Sequence, residues 1–137
     1  MANQRLFVSS LSLGFLHLLL ILLHQPVPRI FAVSILCGVT TSIWNHGTTL
    51  EIAKWTDRSM MVVAIIIDTT YLFTLDMHYL VYAEVIAIAA FLSKNIFGDT
   101  SHLLAHIILT CTHVSMIISF DKSCYGSTTT LLDRWTI

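Results

Sequence analysis

Charge is scarce in this chain. Only 11% of its residues are Asp, Glu, Lys or Arg, against 55% hydrophobic residues, and the mean hydropathy is +0.79. A single soluble core of 137 residues cannot hide that much apolar surface, so the composition predicts an integral membrane protein. The formal net charge is −1 and the Lys and Arg residues are thinly spread. A nucleic-acid footprint and a polybasic lipid-binding patch are both excluded on that ground. Cysteine is equally sparse: Cys37, Cys111 and Cys124 have no CxxC spacing, and the first two lie in apolar runs, where a thiol behaves as a small hydrophobe. The only prolines, Pro26 and Pro28, mark one turn. There is no internal repeat, no low-complexity linker and no sign of a second domain.

What is present is a succession of apolar runs. Residues 5–24 are long enough to cross the hydrocarbon layer and read as a first transmembrane helix. A signal peptide with its apolar core in 11–23 is the rival reading, and no clear small-x-small cleavage site follows directly. Further spans are expected at about 30–49, 59–75, 79–92 and 102–120, with a polar link carrying Glu51, Lys54, Asp57 and Arg58 after the second and a polar, loose tail over 121–137. The expectation is an all-α, integral membrane bundle of about five transmembrane helices forming a single domain.

Histidines stand out against this background. His102 and His106 are four apart, so on a helix both imidazoles project from one face and can reach one metal ion. His46 is the best third ligand, lying close to charged residues, with Ser42 one turn before it and Asp57 eleven residues after it. Three such ligands would leave the fourth zinc position for water. A count of five spans supports the grouping, because the link after the second span and the link before the fifth lie on the same side of the bilayer. With four or six, the ligands could have been separated by the roughly 30 Å hydrocarbon layer. Arg5, Lys54, Arg58 and Lys94 on that side, against Arg29, Lys122 and Arg134 on the other, slightly favour placing the site face in the cytoplasm. Trp44 and Trp55 suit the membrane boundary near the site, whereas His24 and His78 look interfacial and receive no role.

The pattern Ser42-xxx-His46, then Asp57 with Met60 and Met61 close behind, then a later HxxxH at the head of the last span, resembles the alkaline ceramidase family. It is similar also to the wider superfamily of membrane hydrolases that includes the GPI-lipid remodelling proteins and the progestin and adiponectin receptors. The likeness covers about residues 38–65 and 98–113. It implies a helical bundle, zinc held by His46, His102 and His106, and Ser42 and Asp57 beside the zinc-bound water. Two departures accompany it. About one span lies between the Asp57 helix and the HxxxH helix where the family has three, and no Asp or Glu precedes Glu51, so the acidic N-terminal segment that binds calcium in some ceramidases is missing.

On that resemblance the chain is expected to be a zinc-dependent intramembrane lipid hydrolase cleaving the amide bond of ceramide-like lipids. Zinc on three neutral imidazoles lowers the pKa of its water to about 7. Asp57 would take the water proton and return it to the leaving group, and Ser42 would hydrogen-bond the developing oxyanion. The acyl chain would lie among the helices. An ester-cleaving lipase of the GPI-remodelling type and a non-catalytic, zinc-stabilised receptor or scaffold are the alternatives. The expected partners are a bilayer lipid and, if the short chain needs a second copy to complete its pocket, a homo-oligomer; in a eukaryote the endoplasmic reticulum or Golgi membrane is the expected place. Blander readings stay open: the HxxxH pair hydrogen-bonded to neighbouring helices, Asp57 an interfacial charge paired with Arg58 or Lys54, and Ser42 a small packing residue.

Four more polar residues fall inside spans, where ionisable groups are costly and face protein or water. His17, Asp68 and Glu84 lie about 15–18 Å below the site face at 1.5 Å per residue, and His113, eleven residues past His102, lies on the same helical face as His102 at a similar depth. Some of them are expected to converge as a polar floor beneath the zinc pocket, the alternative being that each finds its own backbone or water partner.

Overall fold

The computed structural model describes residues 3–24 and 27–126, the side chains of 121–126 apart. Among the described residues all regular structure is helical. Helix α1 spans Gln4–Leu23, α2 Arg29–Gly47, α3 Glu51–Thr74, α4 Val81–Leu92, α5 Lys94–Phe97 and α6 Asp99–Gly126, with a 3-10 turn at His78–Leu80 before α4.

Local chemistry sets the boundaries. The Asn3 side chain caps α1 by accepting a hydrogen bond from the Leu6 amide at 3.1 Å, meeting one of the donors that a helix start leaves bare. Pro28, with φ −55° and ψ 132°, precedes α2, where its missing N–H is harmless; Pro26 lies outside the described residues. The stretch expected as a polar link is largely helical: α3 begins at Glu51, not near Ser59. Glu51 sits in the first turn, where its charge favours the helix start, and it pairs with Lys54 at 3.3 Å one turn on. The charged residues are thus the first two turns of a 24-residue helix. Gly98, at φ +67°, ends α5 in a left-handed conformation that suits glycine, its amide reaching Lys94 O at 2.8 Å. At the far end, α6 runs on through Gly126 into the stretch expected as a loose tail, of which residues 127–137 lie outside the described residues.

The long helices close a ring. Helix α1 packs on α2 and α6, α2 also on α3, and α6 also on α4, while α3 and α4 touch sparsely. Gly14 marks a close approach of α1 to α2: a Cβ there would come 2.4 Å from Val39 Cγ1. The ring has two unlike ends. One is filled by a buried apolar cluster that includes Ile21, Phe31, Ile35, Leu72, Met116, Ile117 and Phe120. Within it the rings of Phe31, Tyr71 and Phe120 meet edge to face at 5.3–5.5 Å between centroids. The other end and the middle bury His46, His102, Asp57, His17, Asp68 and Glu84.

The outward faces are apolar. Phe15, Leu22, Ile30, Val62, Ile66, Phe73, Tyr82 and Ile86 are among many large hydrophobic side chains left exposed. Among the described residues, two helices are long and apolar enough to cross a membrane: Gln4–Leu23, with mean hydropathy 2.4, and the Asp99–Phe120 portion of α6, with 1.8.

Two glycine substitutions separate close packing from helix propensity. Gly14→Ala is expected to destabilise the protein by about 1–3 kcal/mol, because Val39 is β-branched and has little rotamer freedom with which to retreat. Gly38 meets no heavy atom within 4 Å, so Gly38→Ala is expected to stabilise α2 by about 0.5–1 kcal/mol. Thermal unfolding of both variants in the same detergent checks the opposite signs.

Candidate metal centre

The ring brings three histidines from two helices to one point. His46 lies in the last turn of α2, and His102 and His106 occupy successive turns near the start of α6. Their ring centroids are 4.9–5.7 Å apart, and one nitrogen of each lies within 4.8 Å of one nitrogen of the others. His46 and His102 are buried, and His46 Nε2 is a buried nitrogen with no hydrogen-bond partner. Burying a polar atom without a partner is unfavourable, and a metal ion would satisfy it. Three imidazoles that share one space, with an orphaned nitrogen among them, could hold a metal ion, and imidazole ligands suit zinc, copper, iron and nickel alike.

Asp57 stands in the second turn of α3 and is 4% exposed. Its Oδ2 accepts from Asn45 Nδ2 at 2.7 Å and its Oδ1 from Thr41 Oγ1 at 3.4 Å. Burial pushes the Asp57 carboxyl above its usual value, opposed by those two hydrogen bonds and by the charges on Lys94 and Arg58. Ser42 lines the inner cavity with Asp57, His102 and His106, and its hydroxyl lies 3.1 Å from the hydroxyl of Ser10 on α1.

Two spaces meet here. A polar mouth of about 410 Å³ is bordered by His46, Lys54, Arg58, Lys94 and Asp99, and a narrower cavity of about 130 Å³ runs on into the bundle. Asp57, Phe91 and His102 border both. Lys94 Nζ lies 4.3 Å from the centroid of the Phe91 ring, which in turn meets His102 edge to face at 5.0 Å. Burial lowers the pKa of Lys94, with Arg58 and Lys54 acting in the same direction and Asp57 opposing them.

No family model, curated protein or solved structure matches this chain. The centre therefore rests on its own geometry.

All five residues singled out from sequence lie at one end of the bundle. His46, His102 and His106 form one cluster; Asp57 and Ser42 border the adjoining cavity, held by Asn45, Thr41 and Ser10. Those three, and Asn3, carried no role in the sequence reading. Thr41 and Asn45 are four apart and each immediately precedes a named residue, so a second stripe on the Ser42–His46 helix was the available signal. Asn3 ties the start of α1 to this end through its amide to His46 O at 3.2 Å and its side chain to Asp99 Oδ2 at 2.8 Å.

Purified wild type is expected to carry about one zinc per chain, and His46→Ala and His102→Ala to lose it. Elemental analysis of protein prepared without chelator checks this. A well-folded, metal-free wild type would remove the centre.

Proposed function

We propose that the chain is a multi-pass membrane hydrolase of the alkaline ceramidase type, which uses zinc on His46, His102 and His106 to cleave an amide bond in a ceramide-like lipid. The observation that carries this reading is the placing of three imidazoles and a hydrogen-bonded carboxylate around the throat of one cavity. The exposed apolar side chains and the two long apolar helices support a bilayer setting.

When bound, zinc supplies a Lewis acid and a water acidic enough to react as hydroxide near neutral pH. The rest is the work of the chain's own groups. Asp57, anchored by Asn45 and Thr41, holds a carboxylate at the throat, where it accepts a proton and returns it to the leaving nitrogen. Ser42 has a hydroxyl on the same wall, free to turn from Ser10 toward a developing oxyanion. The polar mouth suits a headgroup. A cavity of about 130 Å³ is too small for a full acyl chain, and the sparse contact between α3 and α4 offers that chain a lateral way into the lipid.

The same groups serve an ester as well as an amide, so a screen includes both. Asp57→Asn is expected to keep zinc and to lose about a hundredfold or more in kcat. Full turnover in that variant, or no turnover in zinc-loaded wild type on any lipid amide or ester, would count against catalysis and leave a zinc-stabilised receptor or scaffold. Because Asp57 works as a base only when ionised, kcat falls as pH drops through its raised pKa. Asn45→Ala removes a hydrogen bond that favours the charged form, so the acid limb of the pH–rate profile is expected to move to higher pH.

A further inference from the structure

Deeper in the ring, three helices turn a continuous set of hydrogen bonds inward. His17 Nδ1 on α1 lies 2.7 Å from Leu13 O, His17 Nε2 lies 3.0 Å from His113 Nδ1 on α6, and His113 Nε2 lies 2.8 Å from Asp68 Oδ2 on α3. His17 and Asp68 are buried, at 3% and 2% exposure. Helix α4 adds Glu84, whose Oε2 accepts from the Thr69 hydroxyl at 3.0 Å and whose Oε1 is buried without a partner. Helix α2 adds no charge here: it contributes Phe31, its ring centroid 5.9 Å from that of His113, and the buried Ser34 hydroxyl on the cavity wall. The polar floor expected from sequence therefore holds two hydrogen-bonded groups, the His17–His113–Asp68 line and the Glu84–Thr69 pair.

The hydrogen bonds fix how many protons the set holds. A carbonyl only accepts, so the bond to Leu13 O requires a proton on His17 Nδ1. The bond between His17 and His113 requires a second, and the bond between His113 and Asp68 a third. Two neutral imidazoles and an ionised carboxylate carry two protons between them. Three bonds therefore need one more than that state supplies. The trio is net neutral, and its additional proton can stand on His17, on His113 or on Asp68 without breaking any of the three bonds.

We propose that His17, His113 and Asp68 form a relay that holds one transferable proton on the cavity wall and exchanges it with the reaction at the metal centre. The exchange rests on the hydrolase reading above; the proton count does not. All three residues line the cavity that His102 and His106 line. From His106 to His113 the helix rises about 10 Å. The cavity of about 130 Å³ has the volume of about four waters; its wall is mostly apolar, with Thr110 the polar side chain between His106 and His113 on α6, and four waters cover that distance at about 2.8 Å per hydrogen bond. Amide hydrolysis yields an amine that takes up a proton and a carboxylic acid that gives one up. In the donating step the relay's N–H or O–H bond breaks, an N–H bond forms on the amine through the intervening waters, and the trio becomes −1. The acid's O–H bond then breaks and its proton restores the trio to neutrality.

The experiment combines nitrogen-15 chemical shifts of the imidazoles with the infrared carboxyl band, on the full chain in detergent, for wild type and Asp68→Asn. The asparagine amide donates to His113 Nε2, which keeps all three hydrogen bonds and removes the transferable proton. Wild type is expected to show either a doubly protonated imidazole at His17 or His113 or a protonated Asp68 carboxyl, and Asp68→Asn neither. Two singly protonated imidazoles beside an ionised Asp68 in wild type would overturn the count, and that result needs no variant to fold. In turnover, Asp68→Asn is expected to keep zinc and KM, lose about tenfold in kcat and alter the solvent deuterium isotope effect; wild-type kcat and isotope effect in the folded variant would overturn the exchange. Zinc content and wild-type turnover report on the hydrolase reading alone.

Discussion

An ionisable group turned into a ring of helices with apolar outer faces must find its partner inside the ring. That constraint orders the structure. Asp57 is met by Asn45 and Thr41, Asp68 by His113, His113 by His17, His17 by the backbone of its own helix, and Glu84 by Thr69. Each bond but the one to Leu13 joins side chains from different helices, or from α3 across to α4, so the polar interior also sets how the helices are rotated against one another. A helix turned by one residue would lose its bond and leave a buried polar atom bare, at a cost of about 1–3 kcal/mol. Apolar contacts between smooth aliphatic faces discriminate rotations far less sharply.

The division of the ring into two halves follows from the same rule. The closed end holds the apolar cluster around Phe31, Leu72, Met116 and Ile117, whose side chains need no partners and fill space. The working end holds side chains whose partners are specific. Between them the His17–His113–Asp68 line is where polar and apolar interiors meet, and Phe31 packs against His113 from the closed side.

Much of this was legible because the residues involved are expensive. A histidine or carboxylate in an apolar run stands out, and its depth follows from counting residues along a helix. That is how His46, His102 and His106 could be grouped across a gap of more than fifty residues, and why some of His17, Asp68, Glu84 and His113 could be expected to converge. The neutral partners were less visible. Asn45, Thr41 and Ser10 look like ordinary tolerated residues in a helix, and only the facing helix reveals what they hold. The start of α3 was misplaced for a related reason: a cluster of Glu51, Lys54, Asp57 and Arg58 resembles a solvated link, whereas the alternation of charge at helical spacing makes those residues a stable first pair of turns. Sequence could not supply the sparse α3–α4 contact or the size of the cavity, since both depend on how five helices share one interior.

The aromatic trio of Phe31, Tyr71 and Phe120 has one further consequence. By closing the ring at one end it leaves the interior two less covered sides, the polar mouth and the sparsely packed seam between α3 and α4. A polar occupant and an apolar one can therefore leave in different directions without passing each other.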